Sequence, residues 1–158
     1  KNGEWYVYTD KYVVNGWDTR DYAVLVLYDN QDSCDFGAFG YRVDGSLAGT
    51  DHWNFGYPYW DNTCEGSPVQ DELCAGSMWG MEAEIDSTSA SYVYFDHDIN
   101  EGQSGSPIYD FNGGNRQIVA HVKGTWSAYD NRGIKMRNRV FDFVEAARDE
   151  HPSSYCNW

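Results

Sequence analysis

The sequence of 158 residues is 41% hydrophobic and 23% charged, a balance suited to one modest globular domain with its own core. Its net charge of −14, with only 11 Lys and Arg, argues against nucleic acid and anionic membranes as partners, because their phosphates repel such a surface. The charge fits either attraction of basic substrates or plain solubility, and the second is the commoner meaning of net charge.

Along the chain, short runs rich in β-branched and aromatic residues alternate with turn residues, the all-β pattern. Candidate strands are Glu4–Tyr8, Tyr22–Tyr28, Phe36–Arg42, Met78–Ile85, Tyr92–Asp96, Ser106–Asp110, Gln117–Lys123 and Gly133–Met136. The longest apolar run, Ala23 to Tyr28, has the length of a buried strand and falls far short of the roughly 20 residues that span a bilayer. No leader pattern opens the sequence, which reads as a mature chain or a fragment. Asp51 to Ser77 reads as one long irregular stretch of Gly, Trp, Tyr and Pro, the kind of loop that is functional or cross-linked. Asn112-Gly113-Gly114 is a hairpin turn signal. The one helix expected lies at the end, where Val140, Phe141, Val144 and Ala147 share a face, Asn138 can cap the start and Pro152 lies beyond the end.

Seven Trp and thirteen Tyr suit either strand packing or a carbohydrate-stacking surface, and packing is the simpler account. The four cysteines, Cys34, Cys64, Cys74 and Cys156, form no CxxC pair, which argues against zinc, and their even count in an acidic chain with few Lys suggests an oxidising compartment. Cys64 and Cys74 bracket a short segment and suit a local bridge; Cys34 and Cys156 can pair with each other or with another chain. Asp29-Asn30-Gln31-Asp32 lacks the spacing of a helical calcium loop and reads as a solvated turn. No Asn-x-Ser/Thr sequon occurs, and no cofactor or metal is expected.

Chemistry concentrates in Gly102-Gln103-Ser104-Gly105-Ser106-Pro107. A serine nucleophile needs a tight turn that lifts its oxygen clear of the backbone, and flanking glycines permit it. The amides of Gly102 and Ser104 can then point at one spot and hold an oxyanion. The Gly-x-Ser-Gly tetrapeptide alone also describes an ordinary turn; the full six residues, followed by Ile108-Tyr109-Asp110 and a hairpin, are more specific. Pro107 can open the next strand, where a missing donor is tolerated.

Gly102 to Pro107 resembles the nucleophile loop of chymotrypsin-like endopeptidases, and within that clan it is most similar to the secreted bacterial glutamyl endopeptidases. Further segments match in order: Asp21-Tyr22-Ala23-Val24-Leu25-Val26-Leu27 resembles the strand that begins with the catalytic acid, and Gly56-Tyr57-Pro58 and Met78-Trp79 resemble stretches before the second barrel. Gln117 to Gly124 resembles the strand lining the specificity pocket, Asn131-Arg132-Gly133 the turn on its far wall, and Val140 to Val144 the terminal helix. The resemblance runs from about residue 5 to 147 and implies an all-β, chymotrypsin-like double six-stranded β-barrel with a C-terminal helix, the first barrel completed by a missing N-terminal chain. Residues 1–50 would hold the remainder of the first barrel with the acid strand, 51–77 a disulfide-containing connecting loop, 78–137 the second barrel with the nucleophile, and 138–158 the helix and tail.

The resemblance makes Ser104 the nucleophile and Asp21 the triad acid, which accepts the Nδ1–H of a histidine and stabilises its imidazolium. Asp18 competes with it three residues earlier. The family's base lies upstream of the acid, yet only 20 residues precede Asp21 here and none is His. His52, His97, His121 and His151 all lie downstream, and none stands where a triad base belongs. The expectation is a secreted heavy chain whose light chain carries the histidine, disulfide-linked through Cys34 or Cys156; the alternative is a protease-fold binding protein that lost its base. Asp98, six residues before Ser104, falls at the expected pocket floor, and Ile99 follows where the glutamyl branch has a hydroxyl that holds a substrate carboxylate. By the resemblance His121 falls where that branch binds the carboxylate, and Lys123 and Gly124 continue the same wall. Lys123 then either adds to that positive charge or neutralises Asp98. Cleavage after Glu or Asp is the first expectation, after Arg or Lys the second.

Overall fold

The structure is a computed structural model and describes residues 5–9, 18–27, 38–58, 78–125 and 130–150. In chain order the strands are β1 (Trp5–Thr9), β2 (Ala23–Leu27), β3 (Gly40–Tyr41), β4 (Asp51–Gly56), β5 (Trp79–Thr88), β6 (Tyr92–Phe95), β7 (Pro107–Asn112), β8 (Asn115–Thr125) and β9 (Asn131–Lys135), followed by helix α1 (Asn138–Asp149). A 3₁₀ turn over Asp18–Arg20 precedes β2.

Six strands close a barrel. β4 pairs antiparallel with β5, β5 with β6, β6 with β9, β9 with β8, β8 with β7, and β7 returns to β4. Closure leaves no open edge within the ring. β3 adds to β8 in parallel, and β1 pairs with β2 as a separate two-stranded sheet. The barrel is filled by Leu47, Ile85, Val93, Phe95, Ile108, Val119, Ala120 and Val122, all buried. A second cluster of Ile134, Met136 and Val140 seats α1 on the barrel, with Tyr22, Tyr41, Ile118 and Phe141 packed around it.

The all-β expectation with one terminal helix holds, and seven of the nine strands fall close to expected runs. At Asn112 to Asn115 the chain turns back directly from β7 to β8, with Gly113 at φ 61° and Gly114 at φ 88°, left-handed values that only glycine adopts easily. Three expectations need correction. Asp51 does not open a loop: the barrel begins there, with β4, and not at Met78. The inward residues of β4 are His52, Asn54 and Gly56, all buried, so the usual apolar alternation is absent and the strand is hidden. Asn131-Arg132-Gly133 is not a turn but the start of β9. The helix is capped at Arg137, in extended backbone, and not by the side chain of Asn138. The Arg137 guanidinium instead ties Ser91 Oγ at 2.7 Å and the Thr19 carbonyl at 2.8 Å, joining the 3₁₀ turn to the barrel. Of the expected strand Phe36–Arg42, only Gly40–Tyr41 is strand among the described residues. All four cysteines, His151 and Asp29 to Asp32 lie outside the described residues.

Two barrel histidines replace apolar filling. His97 is fully buried and donates from Nε2 to the His52 carbonyl at 2.8 Å, and its ring stands edge-on to Phe95. Its Nδ1 is buried with no partner among the described residues. Burial holds His97 below the ordinary imidazole value of 6.5, aided by the neighbouring His52; the His52 carbonyl, Asp86 and Asp96 pull the other way without reversing it. The folded barrel therefore binds this proton more weakly than the unfolded chain does. Stability is complete above the unfolded value and declines as pH falls below about 6.5. The urea midpoint is expected to drop between pH 7.5 and about 5.5, before carboxylates titrate, and His97→Gln should flatten that slope. An unchanged slope in the variant would refute the assignment.

Candidate functional site

The Gly102 to Pro107 loop joins β6 to β7 on the side of the barrel that faces β2. Gly102 at φ 93° and Gly105 at φ 87° take left-handed backbone on either side of Ser104. Between them Gln103 is buried, accepting the Asn100 amide on its Oε1 at 2.7 Å and donating its own amide to the Asn100 carbonyl at 3.2 Å. The Gly105 amide donates to the Val122 carbonyl at 2.7 Å and the Ser106 amide to the Gln103 carbonyl at 2.9 Å. Among the described residues the amides of Gly102 and Ser104, both exposed, donate to nothing. The loop thus anchors the amides of Gln103, Gly105 and Ser106 in protein, while those of Gly102 and Ser104 make no bond among the described residues.

Asn54, from the strand hidden in the sequence, supports the loop from beneath. Its Nδ2 donates to Ser106 Oγ at 3.0 Å and to the Pro107 carbonyl at 2.9 Å, and it is buried. Beside it Gly56 leaves room for Ser106: a Cβ there would stand 2.9 Å from the Ser106 Cβ. Truncating Asn54 to alanine would strand the Pro107 carbonyl. The expected cost is about 2 kcal/mol in urea unfolding, with slower labelling of Ser104; a loss under about 0.5 kcal/mol would contradict this role.

The exposed Ser104 hydroxyl donates at 3.4 Å to the Lys123 carbonyl. It lines an open groove of about 500 Å³ together with Asp21, Tyr22, His121 and Lys123, and the groove continues over Val24, Ile118, Met136, Val140 and Val144. Four sequence-predicted residues therefore meet: Ser104, Asp21, His121 and Lys123. Asp98, Ile99, Gly102 and Gly124 do not line this groove. Asp98 is exposed, and its amide meets Met81 Sδ, while Ile99 packs against the barrel core. Gly124 sits at φ 142° beside a bulge in β8.

That bulge falls between Val122 and Gly124, so Lys123 is the extra residue in the ladder, and bulges redirect side chains. Lys123 is 11% exposed and reaches across to β2, where its ammonium pairs with Asp21 Oδ2 and, at 2.9 Å, with Asp18 Oδ1. The ammonium thus pairs with Asp21 and Asp18, where the sequence offered Asp98 or a substrate carboxylate. Burial alone would lower the Lys123 ammonium, but its hydrogen bonds to Asp18 and Asp21 and their charges raise it overall. It stays protonated and cannot serve as a base. Asp18 is the hub of the junction. The bond from Lys123 holds its carboxyl below the usual range, and it also accepts Tyr92 Oη at 2.8 Å and Arg132 at 3.1 Å.

His121 donates from Nε2 to the Asp21 backbone carbonyl at 3.0 Å. Burial holds it below 6.5 despite the Asp21 carbonyl and carboxylate, and Lys123 pushes the same way as burial, so the ring is neutral near pH 7. The hydrogen bonds of His52 and His97 run to backbone carbonyls, of Thr50 and His52 respectively, within the barrel. Among the described residues no imidazole is hydrogen-bonded to Ser104.

No protein-family model and no curated protein matches the chain. Among solved structures it is similar to one described as Glu endopeptidase in complex with MPD, with TM-score 0.74 and 26% identity over 92% of this chain. It spans 62% of that neighbour's length. The closed barrel, the terminal helix and this likeness define a chymotrypsin-like serine protease fold. Among the described residues no helix is long and apolar enough to cross a membrane.

Proposed function

We propose that the chain is the nucleophile-bearing part of a secreted serine endopeptidase. The observation that carries the reading is the Ser104 loop, in which an exposed hydroxyl lines a groove shared with Asp21 and, among the described residues, the amides of Gly102 and Ser104 make no bond. Ser104 would attack the scissile carbonyl, with the Gly102 and Ser104 amides holding the oxyanion until the acyl-enzyme hydrolyses. Asp21 would orient the imidazole, which comes from polypeptide outside these 158 residues, a light chain held through Cys34 or Cys156. The apolar floor of the groove, from Tyr22 to Val144, is the surface that polypeptide would cover.

For specificity, cleavage after Glu or Asp rests on His121 and on the likeness to a structure described as Glu endopeptidase. Because His121 is neutral near pH 7, its preference for an acidic side chain would strengthen as pH falls and the ring gains charge. Cleavage after Arg or Lys would instead rest on Asp98.

The test is a fluorophosphonate probe applied to native, non-reduced protein, with intact-mass analysis for a second polypeptide and matched peptides bearing Glu, Arg or Ala before the scissile bond. A Ser104 adduct supports the reading. An inert Ser104 in folded native material would point to a binding protein on a protease fold. Equal rates on all three peptides would remove both specificities.

A further inference from the structure

The acid of the proposed triad already has a partner. Asp21 is 40% exposed, its Oδ2 is taken by Lys123, and its Oδ1 accepts no hydrogen bond among the described residues. Four constraints fix this arrangement. The β8 bulge aims Lys123 at β2, Asp18 holds the same ammonium from the preceding turn, Arg132 of β9 holds Asp18, and His121 holds the Asp21 backbone. Among the described residues, the groups around this carboxylate are Lys123, which pairs with it directly, His121 on its backbone carbonyl, and Asp18, which shares the ammonium and is itself held by Arg132 and Tyr92.

We propose that Lys123 is a positioning residue for the acid: its ammonium fixes one oxygen of Asp21, leaves the other for an incoming imidazole, and moderates that imidazole's basicity. The inference rests on the serine endopeptidase reading and adds to it a control on the base. A carboxylate raises the basicity of a neighbouring imidazole, and a cation beside the carboxylate offsets part of that effect. With Lys123 present, the imidazole loses its proton at lower pH and the acid limb of reactivity lies lower. Without Lys123 the carboxylate acts unopposed and is also free to rotate, so the limb rises and the rate at the plateau falls.

The chain itself can be tested with free imidazole as the base and a fluorophosphonate as the electrophile. In that reaction the Oγ–P bond of Ser104 forms as the P–F bond breaks; fluoride departs and imidazole takes the hydroxyl proton. Wild type, Lys123→Met, Lys123→Arg and Asp21→Asn are compared across pH, and the Lys123 side chain is titrated by NMR in wild type and Asp21→Asn. The expected results are an acid limb about half a unit or more higher in Lys123→Met, a limb near wild type in Lys123→Arg, and a Lys123 titration that moves down in Asp21→Asn. A merely structural lysine would lower the rate without moving the limb, and that outcome overturns the proposal, as does an unmoved Lys123 titration. If Ser104 takes no adduct at any pH while the Lys123 titration does move, the endopeptidase reading has failed, and this inference fails with it despite a real ion pair.

Discussion

Ser104→Ala is expected, on the proposed endopeptidase reading, to abolish fluorophosphonate labelling and to lower peptide hydrolysis by the native protein by about 10⁴- to 10⁶-fold. The size of the effect follows from what remains. The amides of Gly102 and of residue 104 survive the substitution, and so does the groove, so the proposed binding and oxyanion stabilisation would persist. What disappears is the oxygen that forms the covalent intermediate. Because Ser104 is exposed and its hydrogen bond to the Lys123 carbonyl is long at 3.4 Å, the fold should change by less than about 0.5 kcal/mol. That separation makes the result informative: a dead but fully stable variant locates the chemistry at one atom. Turnover that survives the change, or an adduct that moves to Ser106, would place the nucleophile elsewhere. Ser106 is the natural control, since its hydroxyl accepts from Asn54 and is held within the loop.

The sequence exposes the parts of this architecture that obey local rules. β2 stands out as an apolar run, β7 and β8 stand out through the turn that joins them, and the nucleophile loop stands out because glycines are required where φ is positive. β4 escapes because its inward positions are His52, Asn54 and Gly56 and its outward positions are Trp53 and Phe55, an inversion of the usual pattern. Of its inner residues, Asn54 holds the loop of Ser106 through its side chain and Gly56 leaves that loop room. The likeness to protease sequences brings Asp21, His121 and Ser104 into one site, but it carries no information about Lys123's partner. Pairing depends on a bulge at Val122 to Gly124, whose one trace in residue types is Gly124 itself, and a glycine does not say which neighbour is redirected or where it points. Asp18 illustrates the same point. It is a competitor for the acid in sequence, and in space it is the residue that binds the cations around the acid. Gln103 and Asn100 were equally silent, because a mutual side-chain and backbone clasp has no spacing rule.

Gly133→Ala should damage both the barrel and the site. Gly133 pairs with Val93 on one side and Val122 on the other, where β6, β9 and β8 approach closely. A Cβ at this position would stand 2.5 Å from the His121 carbonyl oxygen, 3.2 Å from its carbon and 3.1 Å from Val93 Cγ2. Two of these three atoms are backbone, which cannot swing aside as a flexible side chain can, and Val93 is fully buried. The strands must therefore separate, at an expected cost of about 2–3 kcal/mol and a melting temperature lower by roughly 5–10 °C. The displaced backbone is that of His121, which precedes the bulge that aims Lys123, so β8 cannot move without disturbing the grip on Asp21. The variant should show a lowered melting temperature and a Lys123 titration shifted toward that of Asp21→Asn. A stable Gly133→Ala barrel with an unmoved Lys123 would mean that β8 and β9 are spaced more widely than the ladder at Val122 and Gly133 requires, and the geometric basis for the Lys123–Asp21 contact would go with it.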